Sequence, residues 1–279
     1  YWAADGGEES PRWSNDGRVA WYSKQDNEAA FGIYVWDGER VITVADGLQW
    51  VNQIEWLPEG LLWSTSDQQN STTNPLVRHQ FLWNGEQNIV LGDYAQLGET
   101  VSDGNGRLAW SAHTSDAQIV DVFVWDGVQI LTVSDHSAVT NTSLRWLEDG
   151  RLIWWSNPQE DGQVEVWDGS STQNITSEIG AVRAMRWLDA QNGYLFTAER
   201  DGETTVYFWD MTQFINISSM LPSVEQASWT RSGGVEIRVG ILPNQSIWYW
   251  DGSTTTLISD MPGIAPSGSI WDTTGAVVF

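Results

Sequence analysis

Pro11-Arg12-Trp13-Ser14-Asn15-Asp16-Gly17-Arg18-Val19-Ala20-Trp21 writes a short strand, a tight turn and a second strand in one run. Asp16-Gly17 suits a hairpin turn because glycine accepts positive φ at no steric cost. Counterparts of this element start at Trp56, Trp146, Trp187, Trp229 and Trp271. A degenerate copy starts near Val101 and runs through Gly106-Arg107-Leu108-Ala109-Trp110. A second element interleaves with the first: Trp36-Asp37-Gly38, Trp83-Asn84-Gly85, Trp125-Asp126-Gly127, Trp167-Asp168-Gly169, Trp209-Asp210-Met211 and Trp250-Asp251-Gly252. Steps between successive tryptophans of this second element are 47, 42, 42, 42 and 41 residues.

Each unit resolves into four short strands. The first pair flanks Asp16-Gly17. The third is Ile33-Tyr34-Val35-Trp36, and the fourth is Val41-Ile42-Thr43-Val44 after the Asp37-Gly38 turn. β-Branched and aromatic residues fill these segments, and Asp, Asn, Gly and Ser separate them. No stretch shows a helical period of 3.6. Four-stranded units of about 42 residues in series predict an all-β fold, a β-propeller of four-stranded blades.

The run from Pro11 to Arg18 resembles the P-x-W-S-x-D-G-[KR] motif of TolB-type, WD40-like propeller repeats. The Trp-Asp that ends the third strand is similar to the dipeptide of WD40 repeats. The Gly-His dipeptide of true WD40 repeats is missing, which favours the TolB-like group. The resemblance covers almost the whole chain. It implies a fold and leaves function open, because propellers host many activities.

Seven copies of the first element predict seven blades in a single domain, residues 1–279. Seven full units need about 294 residues, more than the 279 present. The shortfall is at the C-terminal end. Tyr1-Trp2-Ala3-Ala4-Asp5 aligns with the end of a fourth strand, so a composite blade made from both termini is expected to close the ring and remove free edges. Six blades with a spare hairpin is the alternative. A strand accepted from a neighbouring chain would complete the last unit by self-assembly.

Composition narrows the function classes. Thirty-seven acidic residues against 13 basic ones give a formal charge of −24, which repels phosphate backbones and argues against nucleic acid. Without cysteine there is no disulfide framework, thiolate metal site or cysteine nucleophile. The apolar runs are too short to span a membrane as a helix. Aromatics make up 12% of the chain, unlike a disordered acidic segment. The chain opens at Tyr1 with no basic and apolar leader, the form of either a mature exported protein or a trimmed chain. Lys24 is its single lysine, and Asn, Gln, Ser and Thr abound. An extracellular, cell-surface or periplasmic location is expected.

Sixteen of the 20 tryptophans lie at or beside repeat positions and are expected to pack between blades. Burying one removes on the order of 200 Å² from water, a gross gain of several kcal/mol at about 25 cal/mol per Å². Trp50 has no counterpart in the repeat and is the candidate exposed contact. The Asp of each Trp-Asp-Gly is expected to accept backbone hydrogen bonds in its turn.

His79, His113 and His136 are expected in unrelated loops, without metal-ligand spacing. No nucleophile elbow or phosphate loop occurs. No cofactor is implied, and Ca²⁺ is the one metal that the oxygen ligands of the acidic loops would suit. The expected function is non-enzymatic protein binding or scaffolding, with a carbohydrate-binding lectin and a propeller hydrolase as alternatives. Contacts are expected from loops on one face. The candidate contact surface is Trp50 with Asp67, Asn70, Asn74 and Arg78, around the Ser64–Arg78 insert.

Overall fold

The computed structural model describes residues 11–24, 30–66, 77–114, 119–159, 161–188, 193–221, 224–230, 234–240, 245–259, 270–271 and 277–278. Every regular element among them is a β-strand. No helix among the described residues is long and apolar enough to cross a membrane.

Six sheets have four strands each, arranged in chain order and joined by antiparallel pairs. Sheet 1 holds β1 (Arg12–Trp13), β2 (Val19–Lys24), β3 (Phe31–Trp36) and β4 (Val41–Leu48). Sheet 2 holds β5 (Trp50–Leu57), β6 (Gly60–Ser66), β7 (Arg78–Trp83) and β8 (Asn88–Tyr94). Sheet 3 holds β9 (Gln96–Ser102), β10 (Leu108–His113), β11 (Val120–Trp125) and β12 (Ile130–Thr132). Sheet 4 holds β13 (Asn141–Trp146), β14 (Leu152–Ser156), β15 (Gln163–Trp167) and β16 (Thr172–Asn174). Sheet 5 holds β17 (Ala181–Leu188), β18 (Gly193–Arg200), β19 (Glu203–Trp209) and β20 (Phe214–Asn216). Sheet 6 holds β21 (Val224–Trp229), β22 (Val235–Val239), β23 (Ser246–Trp250) and β24 (Thr255–Ser259). Among the described residues the seventh copy of the first element forms a hairpin, β25 (Ile270–Trp271) with β26 (Val277–Val278).

Six complete four-stranded units are therefore described, where the repeat count leads to seven. The alternative of six with a spare hairpin fits them. Tyr1–Asp5, the terminal strand of the expected composite blade, lie outside the described residues. By its contacts the chain divides into two compact units. One comprises Tyr1–Ser156 with Val166–Gln173, the other Asn157–Glu165 with Asn174–Phe279.

The core lies between neighbouring sheets. Within the first unit one cluster joins sheets 1 and 2 through Ala20, Ile33, Val35, Ile54, Leu61 and Trp63. A second joins sheets 2 and 3 around Leu82, Leu91, Leu108 and Trp110. A third joins sheets 3 and 4 around Val122, Val124, Leu152 and Trp154. In the second unit Val206, Phe208, Val235, Ile237 and Trp250 do the same for sheets 5 and 6. Second-strand tryptophans face third-strand aromatics directly across the ladder, Trp63 opposite Phe81 and Trp110 opposite Phe123. Their rings stack at 4.2 and 5.8 Å between centroids, worth about 0.5–1.5 kcal/mol each beyond burial.

Polarity alternates at the position five residues after each third-strand tryptophan. Sheets 1, 3 and 5 carry Val41, Ile130 and Phe214 there; sheets 2, 4 and 6 carry Asn88, Thr172 and Thr255. Each polar member donates to a fourth-segment carbonyl of the preceding sheet. Asn88 Nδ2 reaches Val44 O at 2.7 Å, Thr172 Oγ1 reaches Val133 O, and Thr255 Oγ1 reaches Ile217 O at 2.9 Å.

The turn between third and fourth strands needs positive φ at its first loop residue. Glycine supplies it in five sheets, as at Gly38 (φ 104°) and Gly252 (φ 104°), but sheet 5 places Met211 there at φ 77°. A side chain in the left-handed region costs about 1–2 kcal/mol. Met211→Gly is expected to stabilise the protein by about 1 kcal/mol, read as a higher midpoint in urea unfolding.

Candidate functional site

The repeating carboxylates are the most abundant candidates for chemistry, and the fold engages them in turns. Asp37 Oδ1 accepts the backbone N–H groups of Glu39 and Arg40, both at 2.9 Å. Asp126, Asp168, Asp210 and Asp251 accept the equivalent pairs at 2.8–2.9 Å. Asn84 does so at 3.0 Å through its amide oxygen. The N–H groups of Ser171 and Ser170 and the Ser170 hydroxyl hold Asp168 down at about 2, and the Thr212 hydroxyl with the N–H groups of Gln213 and Thr212 holds Asp210 at about 2. Backbone donors also lower Asp37, Asp126 and Asp251. These aspartates are anionic turn caps.

Two histidines are tied to carboxylates. His79 lies on β7, not in the loop expected for it, with Nδ1 2.7 Å from Asp93. His136 Nδ1 lies 2.8 Å from buried Asp121, which also accepts the Ser134 hydroxyl at 2.8 Å. His113 ends β10, also on a strand. Among the described residues no three His, Asp or Glu side chains are placed to hold a metal ion.

First-strand tryptophans join one sheet to the next. Trp56 Nε1 donates to Arg12 O at 3.0 Å, and Trp146 Nε1 donates to Val101 O at 3.3 Å. Arg18 lies 4.5 Å above the Trp56 ring and Arg107 4.3 Å above the Trp146 ring. Each guanidinium is itself steadied by a turn aspartate, Asp16 at 2.8 Å and Asp103 at 2.7 Å. Sheet 3 has Ser102 in place of this tryptophan, and the contact changes chemistry: Ser102 Oγ donates to Glu59 Oε1 of sheet 2 at 2.8 Å. The arginine five residues after the first-strand tryptophan was legible in the motif, but its role as a lid on the next sheet's indole was not.

Burial separates the tryptophans. Trp63, Trp83, Trp110, Trp125, Trp154, Trp167, Trp209 and Trp250 are buried, as expected for packing between sheets. Sheet 1 holds two exceptions: Trp36 is 40% exposed and Trp13 is 69% exposed. Trp13 lines a cleft of about 460 Å³ with Arg12, Asn52, Gln53, Ile54, Glu55 and Trp56. β1 and β5 are edge strands, which is why their side chains can open onto it. Ile54 points into the core, so the period of two turns Gln53 and Glu55 outward. Gln53 Nε2 donates to Glu55 Oε2 at 2.9 Å.

Trp50, the expected exposed contact, starts β5 and is half-buried. It packs on the core of sheets 1 and 2, with its ring 5.9 Å from Phe31 and its carbonyl accepting Thr65 Oγ1. Arg78 is half-buried at the start of β7, opposite Ser66 and Tyr94. Asp67, Asn70 and Asn74 lie outside the described residues. The structure thus brings Trp13, not Trp50, to an open cleft. Trp13 heads the repeat element that runs to Trp21, so sequence pattern assigned it to packing.

No family model matches the chain, and no curated protein does. Among solved structures it is similar to the β-propeller domain of the Trilobed protease from Pyrococcus furiosus, at 15% identity over 91% of this chain and 84% of that one, TM-score 0.38. It is similar to TolB from Acinetobacter baumannii, at 16% identity over 88% and 64%, TM-score 0.39. Against Pyrococcus horikoshii acylaminoacyl peptidase the figures are 15% identity, 91% and 45%, TM-score 0.39, so the chain spans about half of that enzyme's length. The run Pro11–Arg18, which resembles the TolB-type repeat motif, forms β1 and the turn that leads into β2, within one of six like-built sheets.

Two outcomes test these contacts. Turn aspartates with lowered pKa stabilise the fold fully above the ordinary 3.8 and lose that stabilisation as pH falls through about 2. The thermal midpoint should fall over that window. It should fall less in the Asp168→Asn/Asp210→Asn double variant, whose amides repeat the geometry of Asn84. Trp56→Phe, which removes the indole donor and weakens the arginine contact, should cost about 1–2 kcal/mol in urea unfolding.

Proposed function

We propose that the chain is a non-enzymatic protein-binding scaffold of TolB-like repeats, working at a cell surface or in the periplasm. In this reading residues 1–279 form one propeller built on the six four-stranded sheets. The observation that supports protein binding is an open apolar edge. β4, β8 and β12 are the outer strands of sheets 1, 2 and 3, and they expose Val41 (57%), Val90 (60%) and Ile130 (39%). Trp36 and Val128 add exposed apolar surface at the adjoining turns.

Edge strands of monomeric proteins are usually guarded by charge, lysine above all. Here Lys24 is the single lysine, and these edges present Val41, Val90 and Ile130 beside the exposed carboxylates of Asp46 and Asp93. Apolar side chains on an open edge suit a protein partner, another protein or a second copy, that packs on them or adds a strand. The residue pattern of a lysine-poor, Asn/Gln/Ser/Thr-rich surface supports the exported location.

The test is co-purification of the intact chain from an envelope extract, compared with a Val41→Lys/Val90→Lys/Ile130→Lys variant. A defined protein should be recovered with the parent chain. Recovery should drop about tenfold with the variant, at an unchanged thermal midpoint. Substrate turnover by the purified chain with no stable partner would overturn the proposal.

A further inference from the structure

We propose that the cleft lined by Trp13, Arg12, Asn52, Gln53, Glu55 and Trp56 is a binding site for a neutral pyranose, separate from the apolar outer edges. Three features within the first compact unit carry this. The first is the contrast among equivalent tryptophans. Trp56 and Trp146 are half-buried, each with its N–H bonded to a neighbouring sheet and an arginine over its ring. Trp13 holds the same repeat position with 69% of its surface exposed. A large indole kept in water on an edge strand is a platform. Its electron-rich face attracts polarised C–H groups, and a pyranose with equatorial hydroxyls presents a flat face of axial C–H bonds.

The second feature is the polar lining. Gln53 and Glu55 project from the same face of β5 and are bonded to each other at 2.9 Å, which limits the freedom a ligand would have to remove. The amide and carboxylate groups offer paired, coplanar donors or acceptors, the geometry that vicinal hydroxyls need. The third is size and charge. About 460 Å³ lies within the usual range of small-ligand clefts. The net charge of −24 disfavours anionic sugars. The chemistry selects neutral gluco-configured pyranosides.

Saturation-transfer difference NMR on the intact chain, with methyl β-glucoside and cellobiose as probes, tests this. Saturation should concentrate on the axial ring hydrogens of one pyranose face, and a titration should saturate. Trp13→Ala should weaken binding about tenfold, with part of the loss recovered in Trp13→Phe. Glu55→Ala should weaken it severalfold, and Trp36→Ala, an exposed tryptophan outside the cleft, should leave it unchanged. The thermal midpoint of Trp13→Ala should stay close to that of the parent chain. Absence of saturable binding to either probe, equal binding by Trp13→Ala, or a large fall in its midpoint that marks Trp13 as a packing residue would overturn the proposal.

Discussion

The indole of a first-strand tryptophan belongs to two sheets at once, and the architecture depends on that. Trp56 is built into sheet 2, yet its N–H is bonded to a carbonyl of β1 and its ring lies under Arg18 of sheet 1. Trp146 repeats the arrangement between sheets 3 and 4. A flat four-stranded sheet with polar loops can bury its faces only against another sheet. The contact must therefore be large and also oriented. Apolar area gives the first, and the indole donor with the cation over its ring gives the second. At Ser102 the oriented part persists as a hydrogen bond to Glu59, so position matters more here than the identity of the side chain.

The turn aspartates complete the same unit. In binding two backbone donors each, they close the third and fourth strands into a hairpin and set the register in which the third-strand tryptophan faces its neighbour. Their carboxylates are thereby engaged in local geometry, although an acidic chain could suggest chemistry.

Much of the fold could be read from spacing. Tryptophans recurring every 41–47 residues, with Asp-Gly turns between β-branched runs, specified four strands per unit and the packing role of most indoles. Individual exposures were harder. Trp50 breaks the repeat and so looked free, but its neighbour Phe31 starts β3 earlier than the Ile33 expected and meets the ring. Trp13 obeys the repeat and so looked buried, but among the described residues it has no counterpart of the carbonyl and arginine that cover Trp56. Pattern reports which face a residue is on; it does not report whether a neighbour is there to cover that face.

The alternation at the fourth-strand entrance bears on how such a chain can change length. Polar and apolar residues take turns from sheet to sheet at Val41, Asn88, Ile130, Thr172, Phe214 and Thr255, and only the polar members reach back to the sheet before them. Deleting one sheet from the interior would set two members of the same kind side by side. Deleting two would restore the order. The smallest stretch whose removal keeps this order is thus a doublet of about 84 residues.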